Sequence, residues 1–239
     1  MTNKIEFEPS DWPTPHLEPT AHKIAVFLHT YKSKIIDFNT FMRISGTWKM
    51  IDYVPKLQKW ISGIMPRPKK AATDTREMIA LIEQIFSVCN NDDDWGKIRG
   101  LIAEKVFEIF FSKRHPNGVK IGYGVKVKIN SQEVKYRPNS NFNSGQDSDG
   151  PRQTVDAGSW DSLFGEFVEV KFNPEAFHTK DINYLKLLES TLNHAMIRHQ
   201  IYLVTFDDPD LIKNKLKQIG LLNHTSRFKL LGKSEILVS

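Results

Sequence analysis

The sequence predicts a mixed α/β protein in which a helical lobe precedes a compact domain of strands and helices. Apolar residues recur at helical spacing through most of residues 21–112, then switch to a period of two over residues 121–129. The run QIYLVTF at 200–206 is almost continuously apolar. A strand buried on both faces after a strand and a helix is the pattern of a parallel crossover.

The composition supports an ordinary globular chain. In 239 residues, 40% are hydrophobic and 26% charged, enough for one good core and an accessory lobe. A net charge of +5 permits a polyanionic partner without requiring one. Cys89 is the single cysteine, so disulfides and cysteine-rich zinc sites are excluded, and its apolar helical context predicts a buried thiol. The N-terminus has no apolar signal-type region, and no run approaches the roughly 18 apolar residues of a membrane span. A cytoplasmic protein without membrane contact is expected. The eight histidines form no i, i+4 pair, no glycine-rich phosphate loop precedes a helix, and no serine elbow is present.

Residues 1–20 hold four prolines among several acids, which predicts an extended surface segment with little regular structure. Helices follow: Ile24, Phe27, Leu28 and Tyr31 share one face, Ile35, Phe38, Phe41 and Met42 another, and Leu57, Ile61 and Ile64 a third. The basic PRPKK stretch at 66–70 reads as a linker or a phosphate contact. Asp74 with Glu77 resembles a capping box for a helix through Cys89, and the acids up to Asp94 cap the next, from Trp95 to about Ser112. On that helix Gly100, Glu104 and Glu108 lie along one line bordering the apolar face. Glu104 either pairs with Arg99, Lys105 or solvent, or serves a site.

Val125, Val127 and Ile129 alternate with Lys126 and Lys128, predicting a half-exposed strand with residues 132–137 as its hairpin partner. Residues 138–152 are polar and rich in turn formers, a long loop. Thr179 with Asp181 caps a helix through Met196. Residues 209–239 add a helix carrying Lys213, Lys215 and Lys217 and a terminal strand at Ile236. Lys126, Lys128, Arg152, Lys213 and Lys217 are the candidate nucleic-acid contacts; a solvated face is the alternative for such lysines.

The chemistry concentrates in TVDAGSWDSLFGEFVEVKF at 154–172. Period two puts Phe167, Glu169 and Lys171 on one face, with Val168 and Val170 facing the core. The turn chemistry after Asp156 makes a hairpin that brings Asp156 beside Glu169. Two carboxylates with a neighbouring lysine suit a divalent cation and the charge of a phosphoryl transition state.

Asp156, Glu169, Val170 and Lys171 resemble the motif of the PD-(D/E)xK nuclease superfamily, although Val155 stands where that family has proline. The element order from Trp95 onward, helix, three strands, helix, strand, is similar to its core. The resemblance covers residues 95–206. It implies a restriction-endonuclease-like αβββαβ domain over 95–239, behind an N-terminal extended and helical accessory lobe over 1–94. The implied activity is Mg²⁺-dependent DNA cleavage, with Mn²⁺ able to substitute, serving restriction, defence, repair or recombination. Asp156, Glu169, the Val170 carbonyl and Glu104 would be metal ligands, and Lys171 would hold water or stabilise charge. The N-terminal lobe would mediate a homodimer or a larger nucleoprotein assembly. The rival expectation is a non-catalytic nucleic-acid-binding or helical interaction module that retains a nuclease fold.

Overall fold

The computed structural model describes residues 4–9, 14–64, 72–115, 119–138 and 150–237. The PRPKK linker and most of the long loop predicted at 138–152 lie outside these. The chain forms two compact units, Pro13–Ile109 and Met1–Trp12 with Phe110–Ser239. The fold is mixed α/β, as the sequence predicts.

The first unit is helical among its described residues: α1 (Glu18–Thr30), α2 (Lys34–Ile44), α3 (Tyr53–Ile64), α4 (Thr73–Val88) and most of α5 (Asp92–Arg114). Its centre is aromatic. Phe86 stacks on Tyr53 at 4.1 Å and on Trp95 at 4.7 Å between centroids, and Phe41 meets Trp60 at 4.9 Å. Such pairs add about 0.5–1.5 kcal/mol each beyond area burial. The thiol of Cys89 is buried as predicted, and burial pushes its pKa up to about 12. The capping box expected at Asp74 and Glu77 is absent: the N-cap is Ala72, and Asp74 accepts instead from the Thr75 N–H.

The boundary between the units falls within α5, not at 94/95. The reason is that one helix serves two cores: Trp95, Ile98 and Ile102 are buried in its first part, whereas Phe111 packs on His115 and Tyr123 of the second unit.

The second unit is built on a sheet of strand order β1-β2-β4-β5-β6-β7. The strands are β1 (Ile5–Pro9), β2 (Lys120–Ile129), β4 (Thr154–Trp160), β5 (Phe164–Lys171), β6 (Arg198–Thr205) and β7 (Lys229–Leu231), with the two-residue β3 (Gln132–Glu133) on β2. Neighbours from β1 to β5 are antiparallel, and β5–β6 and β6–β7 are parallel. The parallel step is closed by α6 (Thr179–His194), whose Ile182, Leu185, Leu188 and Leu192 are fully buried with Phe167 and Leu203. Each such side chain contributes about 1.5–3 kcal/mol relative to exposure.

Three expectations are corrected. Residues 1–20 are not without regular structure, because β1 pairs with β2 from Ile5↔Ile129 to Pro9↔Val125. Ile5 and Phe7 alternate with Glu6 and Glu8, a period-two signal that the surrounding prolines obscured. Phe7 lies over Gly122 and Gly158, where a β-carbon would come within 2.8 and 2.7 Å of its side chain, so these glycines make room for it. Second, the Phe167, Glu169 face of β5 is buried as well as the Val168, Val170 face expected to meet the core. Third, Ile236 belongs to a short helix, α8 (Lys233–Leu237), after α7 (Pro209–Gln218), and the last strand is the earlier Lys229–Leu231.

Candidate functional site

The β4–β5 ladder ends at Ala157↔Val168, so Asp156 and Glu169 face each other one step beyond its last pair. There the strands part. The Val170 N–H donates to Asp156 Oδ2 at 2.8 Å, a bond that fixes the carboxylate at the open end of the hairpin. In the meantime β5 continues its parallel pairing with β6 to Lys171↔Thr205, which holds Glu169 and Lys171 rigidly.

The predicted triplet is therefore assembled within one set of contacts. Lys171 Nζ lies 2.5 Å from Glu169 Oε1 and 3.3 Å from Asp156 Oδ2. The Glu169 side chain has no exposed surface, Asp156 keeps 7% and Lys171 19%. Arg152 joins them, which residue spacing did not reveal. Its Nη2 donates to both Glu169 oxygens at 2.7 Å and to Asp156 Oδ1 at 3.3 Å, and its Nη1 lies 3.1 Å from Asp181 Oδ1. The arginine expected to contact phosphate is thus engaged by three carboxylates.

Asp181 is the second residue that sequence reasoning missed at this site. It was read only as a cap partner of Thr179; the N-cap is His178, whose N–H donates to Asp181 Oδ2 at 3.0 Å. The remaining oxygen, Oδ1, is buried and within ion-pair distance of Arg152, but the angle leaves it without a hydrogen bond. The available signal was position: α6 starts eight residues after β5 ends at Lys171, so its first turn returns to the same end of the sheet.

Three carboxylates against two cations leave one formal negative charge inside a buried cluster. The charge is distributed unevenly. At Asp156, burial favours the neutral acid but is outweighed by Lys171, Arg152 and the Val170 N–H, so its pKa is lowered. At Glu169, burial dominates, helped by Asp156 and Asp181 against Arg152 and Lys171, and the pKa is pushed up to about 8. Lys171 is held charged: burial opposes this, and Asp156 and Glu169 overcome it.

Linkage gives a testable consequence. Between the ordinary value of 4.5 and about 8, folded Glu169 holds a proton that the unfolded chain has released, so stability falls as pH rises through this window. Asp156 acts in the opposite sense, contributing stability above its ordinary value of 3.8 that is lost as pH falls through its lowered one. In chelator, the melting temperature of the wild type should decline from pH 4.5 to 8 relative to Glu169→Gln. Parallel pH curves for the two proteins would refute the assignment.

The other predicted site residues stand on other elements. Glu104 is on the portion of α5 that belongs to the helical unit; of its suggested partners, Arg99 donates to the Met42 and Gly46 carbonyls and Lys105 to Glu108. Lys128 pairs with Glu8, and Lys126 stands opposite Glu8 in the β1–β2 register. Lys213 pairs with Asp210 at 2.6 Å, and Lys217 is exposed in the last turn of α7.

On the opposite face of β5, Glu166 is buried and accepts from Arg114 at 2.8 Å, His115 at 2.5 Å and Tyr202 at 2.7 Å. These bonds tie the end of α5 to β5 and β6.

Among the described residues, no group of three or more His, Cys, Asp or Glu is disposed to hold a metal ion, and no helix is long and apolar enough to cross a membrane. No protein-family model and no curated protein matches the chain. Among solved structures, protein VC1899 from Vibrio cholerae is similar to it, with a TM-score of 0.46 and 11% identity over 99% of this chain. The chain spans 56% of that protein.

Proposed function

We propose that the chain is a Mg²⁺-dependent deoxyribonuclease of the PD-(D/E)xK type, hydrolysing phosphodiester bonds, with the second unit as its restriction-endonuclease-like domain. The observation that carries this reading is the meeting of Asp156, Glu169 and Lys171 where the β4–β5 hairpin opens. An exposed ion-pair ladder would not bury both acids.

The donor set fits a hard divalent cation. Asp156 and Glu169, with the Val170 carbonyl, would hold it; Mg²⁺ commonly takes one or two carboxylates and completes its shell with water and phosphate oxygens. A third acid is not required. With all three acids ionised the cluster carries one more negative charge than positive, and Asp181 Oδ1 has no hydrogen-bond partner among the described residues. A divalent ion would turn the formal charge from minus one to plus one, and a phosphodiester would then neutralise it. Bound there, the ion supplies Lewis acidity toward the phosphodiester. Mn²⁺ is proposed as a substitute ion.

The protein's own groups act around that. Lys171, held as an ammonium, places positive charge where the phosphoryl oxygens gain negative charge during attack. Arg152 holds the Glu169 carboxylate in place through both of its oxygens. Water oxygen bonds to phosphorus as the P–O3′ bond breaks, leaving a 5′-phosphate; the attacking water gives up a proton to solvent, and the departing 3′-oxygen takes one up to become a hydroxyl. The helical unit, which exposes Ile36, Ile44, Ile51 and Val54, is proposed as the surface for a homodimer or nucleoprotein assembly.

The purified protein should cut supercoiled, linear or single-stranded DNA with Mg²⁺ or Mn²⁺ and not in chelator. Calorimetry should show Mn²⁺ binding lost in Asp156→Asn. Unchanged affinity in that variant would remove Asp156 from the metal site, and absence of metal-dependent cleavage would favour a non-catalytic nucleic-acid-binding module.

A further inference from the structure

A cavity of about 450 Å³ lies against Arg152, lined by Lys135, Tyr136, Arg137, Arg152, Thr154 and Lys180. Its lining carries four cations and no acid. Two of the four are already engaged, Lys135 by Glu133 at 2.9 Å and Arg152 by the buried carboxylates. Arg137 and Lys180 have no acidic partner among the described residues.

The walls are set before any ligand arrives. Tyr136 and Arg152 exchange two backbone hydrogen bonds, Tyr136 N–H to Arg152 O at 2.8 Å and Arg152 N–H to Tyr136 O at 3.1 Å. Asn183 of α6 donates to the Tyr136 hydroxyl at 3.0 Å, tying the strand side of the cavity to the helix that carries Lys180. Unpaired cations on a fixed concave surface concentrate positive potential and favour an anion. Arg152 is common to this cavity and to the Asp156–Glu169–Lys171 cluster, so an anion seated here is one side chain away from the candidate reaction centre.

We infer that this cavity seats a backbone phosphate of a nucleic-acid strand, contacted by Arg137 and Lys180, so that the neighbouring phosphodiester is presented to Asp156, Glu169 and Lys171. The inference rests on the nuclease reading for what happens next to the seated phosphate, but the binding itself needs no catalysis. A strand suits the site better than a free anion, because the lining holds four cations, more than one phosphate would neutralise.

The test is fluorescence anisotropy of labelled single-stranded and duplex DNA in chelator, from about 50 to 200 mM salt. Wild type is compared with the double variant Arg137→Ala, Lys180→Ala and with Lys4→Ala, Lys229→Ala, two exposed cations of the same unit. The first variant should weaken binding about tenfold or more and reduce the salt slope by about 1 to 2, while the second should change both much less. Among the described residues neither Arg137 nor Lys180 makes an ion pair, and matching melting curves will verify that the first variant is folded. Inorganic phosphate and a nucleoside monophosphate serve as competitors, and displacement of DNA only at far higher concentration than the oligonucleotide supports a strand site. Wild-type affinity and slope in the Arg137, Lys180 variant would overturn the inference. So would tight mononucleotide binding lost in that variant, which would make the cavity a small-ligand site. Neither result touches metal-dependent cleavage, which Asp156→Asn and Lys171→Ala test separately.

Discussion

Lys171→Ala is expected to lower the rate of Mg²⁺-dependent DNA cleavage by about 10²-fold or more, the scale of losing one electrostatic stabiliser. The ammonium touches both carboxylates, at 2.5 and 3.3 Å, and is held charged by them. It therefore cannot serve as a base, and its effect falls on the step in which charge develops. The burial of the cluster changes the second half of the expectation. From the alternation alone, alanine at a half-exposed strand position would cost about 1 kcal/mol or less. With Glu169 fully buried, loss of one of its two cations should cost about 2–3 kcal/mol instead. Single-turnover cleavage should accordingly be measured well below the variant's melting transition. Cleavage there at the wild-type rate would reduce the Glu-x-Lys pattern to a structural ion pair and remove the main support for the nuclease reading.

Arg152→Ala should give the largest loss of stability, about 3–5 kcal/mol for the metal-free protein. One guanidinium touches Asp156, Glu169 and Asp181, and its removal leaves three buried carboxylates facing Lys171 alone. For a chain of this size the melting temperature should fall by roughly 10 °C. Saturating Mn²⁺ should recover part of that loss, because a ligand that binds only the folded state stabilises it by mass action. A melting temperature within about 2 °C of wild type in chelator would show that the guanidinium does not neutralise the cluster.

Most of the architecture was legible along the chain. Helical spacing located the helices of the first unit, alternation located β2, and the apolar run at 200–206 announced the parallel strand β6, because local periodicity records which face of an element is buried. The triplet was legible for a related reason: antiparallel pairing after a short turn fixes register, so Asp156 and Glu169 could be placed opposite each other from the turn residues between them. The adjacent N–H of Val170 could not be read this way, since it depends on where the ladder ends.

What the sequence determined by itself was the mixed α/β class, the buried thiol of Cys89 and the local hairpin that joins acid, acid and lysine. Only the tertiary structure decided that β1 completes the sheet, that α5 is divided between two cores, and that Arg152 and Asp181 meet the triplet. These depend on contacts between segments far apart in the chain or separated by a loop, whose relative placement is set by the packing of α6 on the sheet and by pairing with β2. Charge follows the same division. A residue's formal charge is written in the sequence, but whether Glu169 holds a proton near neutral pH is decided by burial and by the company of Arg152, Lys171, Asp156 and Asp181, which exists only once the chain has folded.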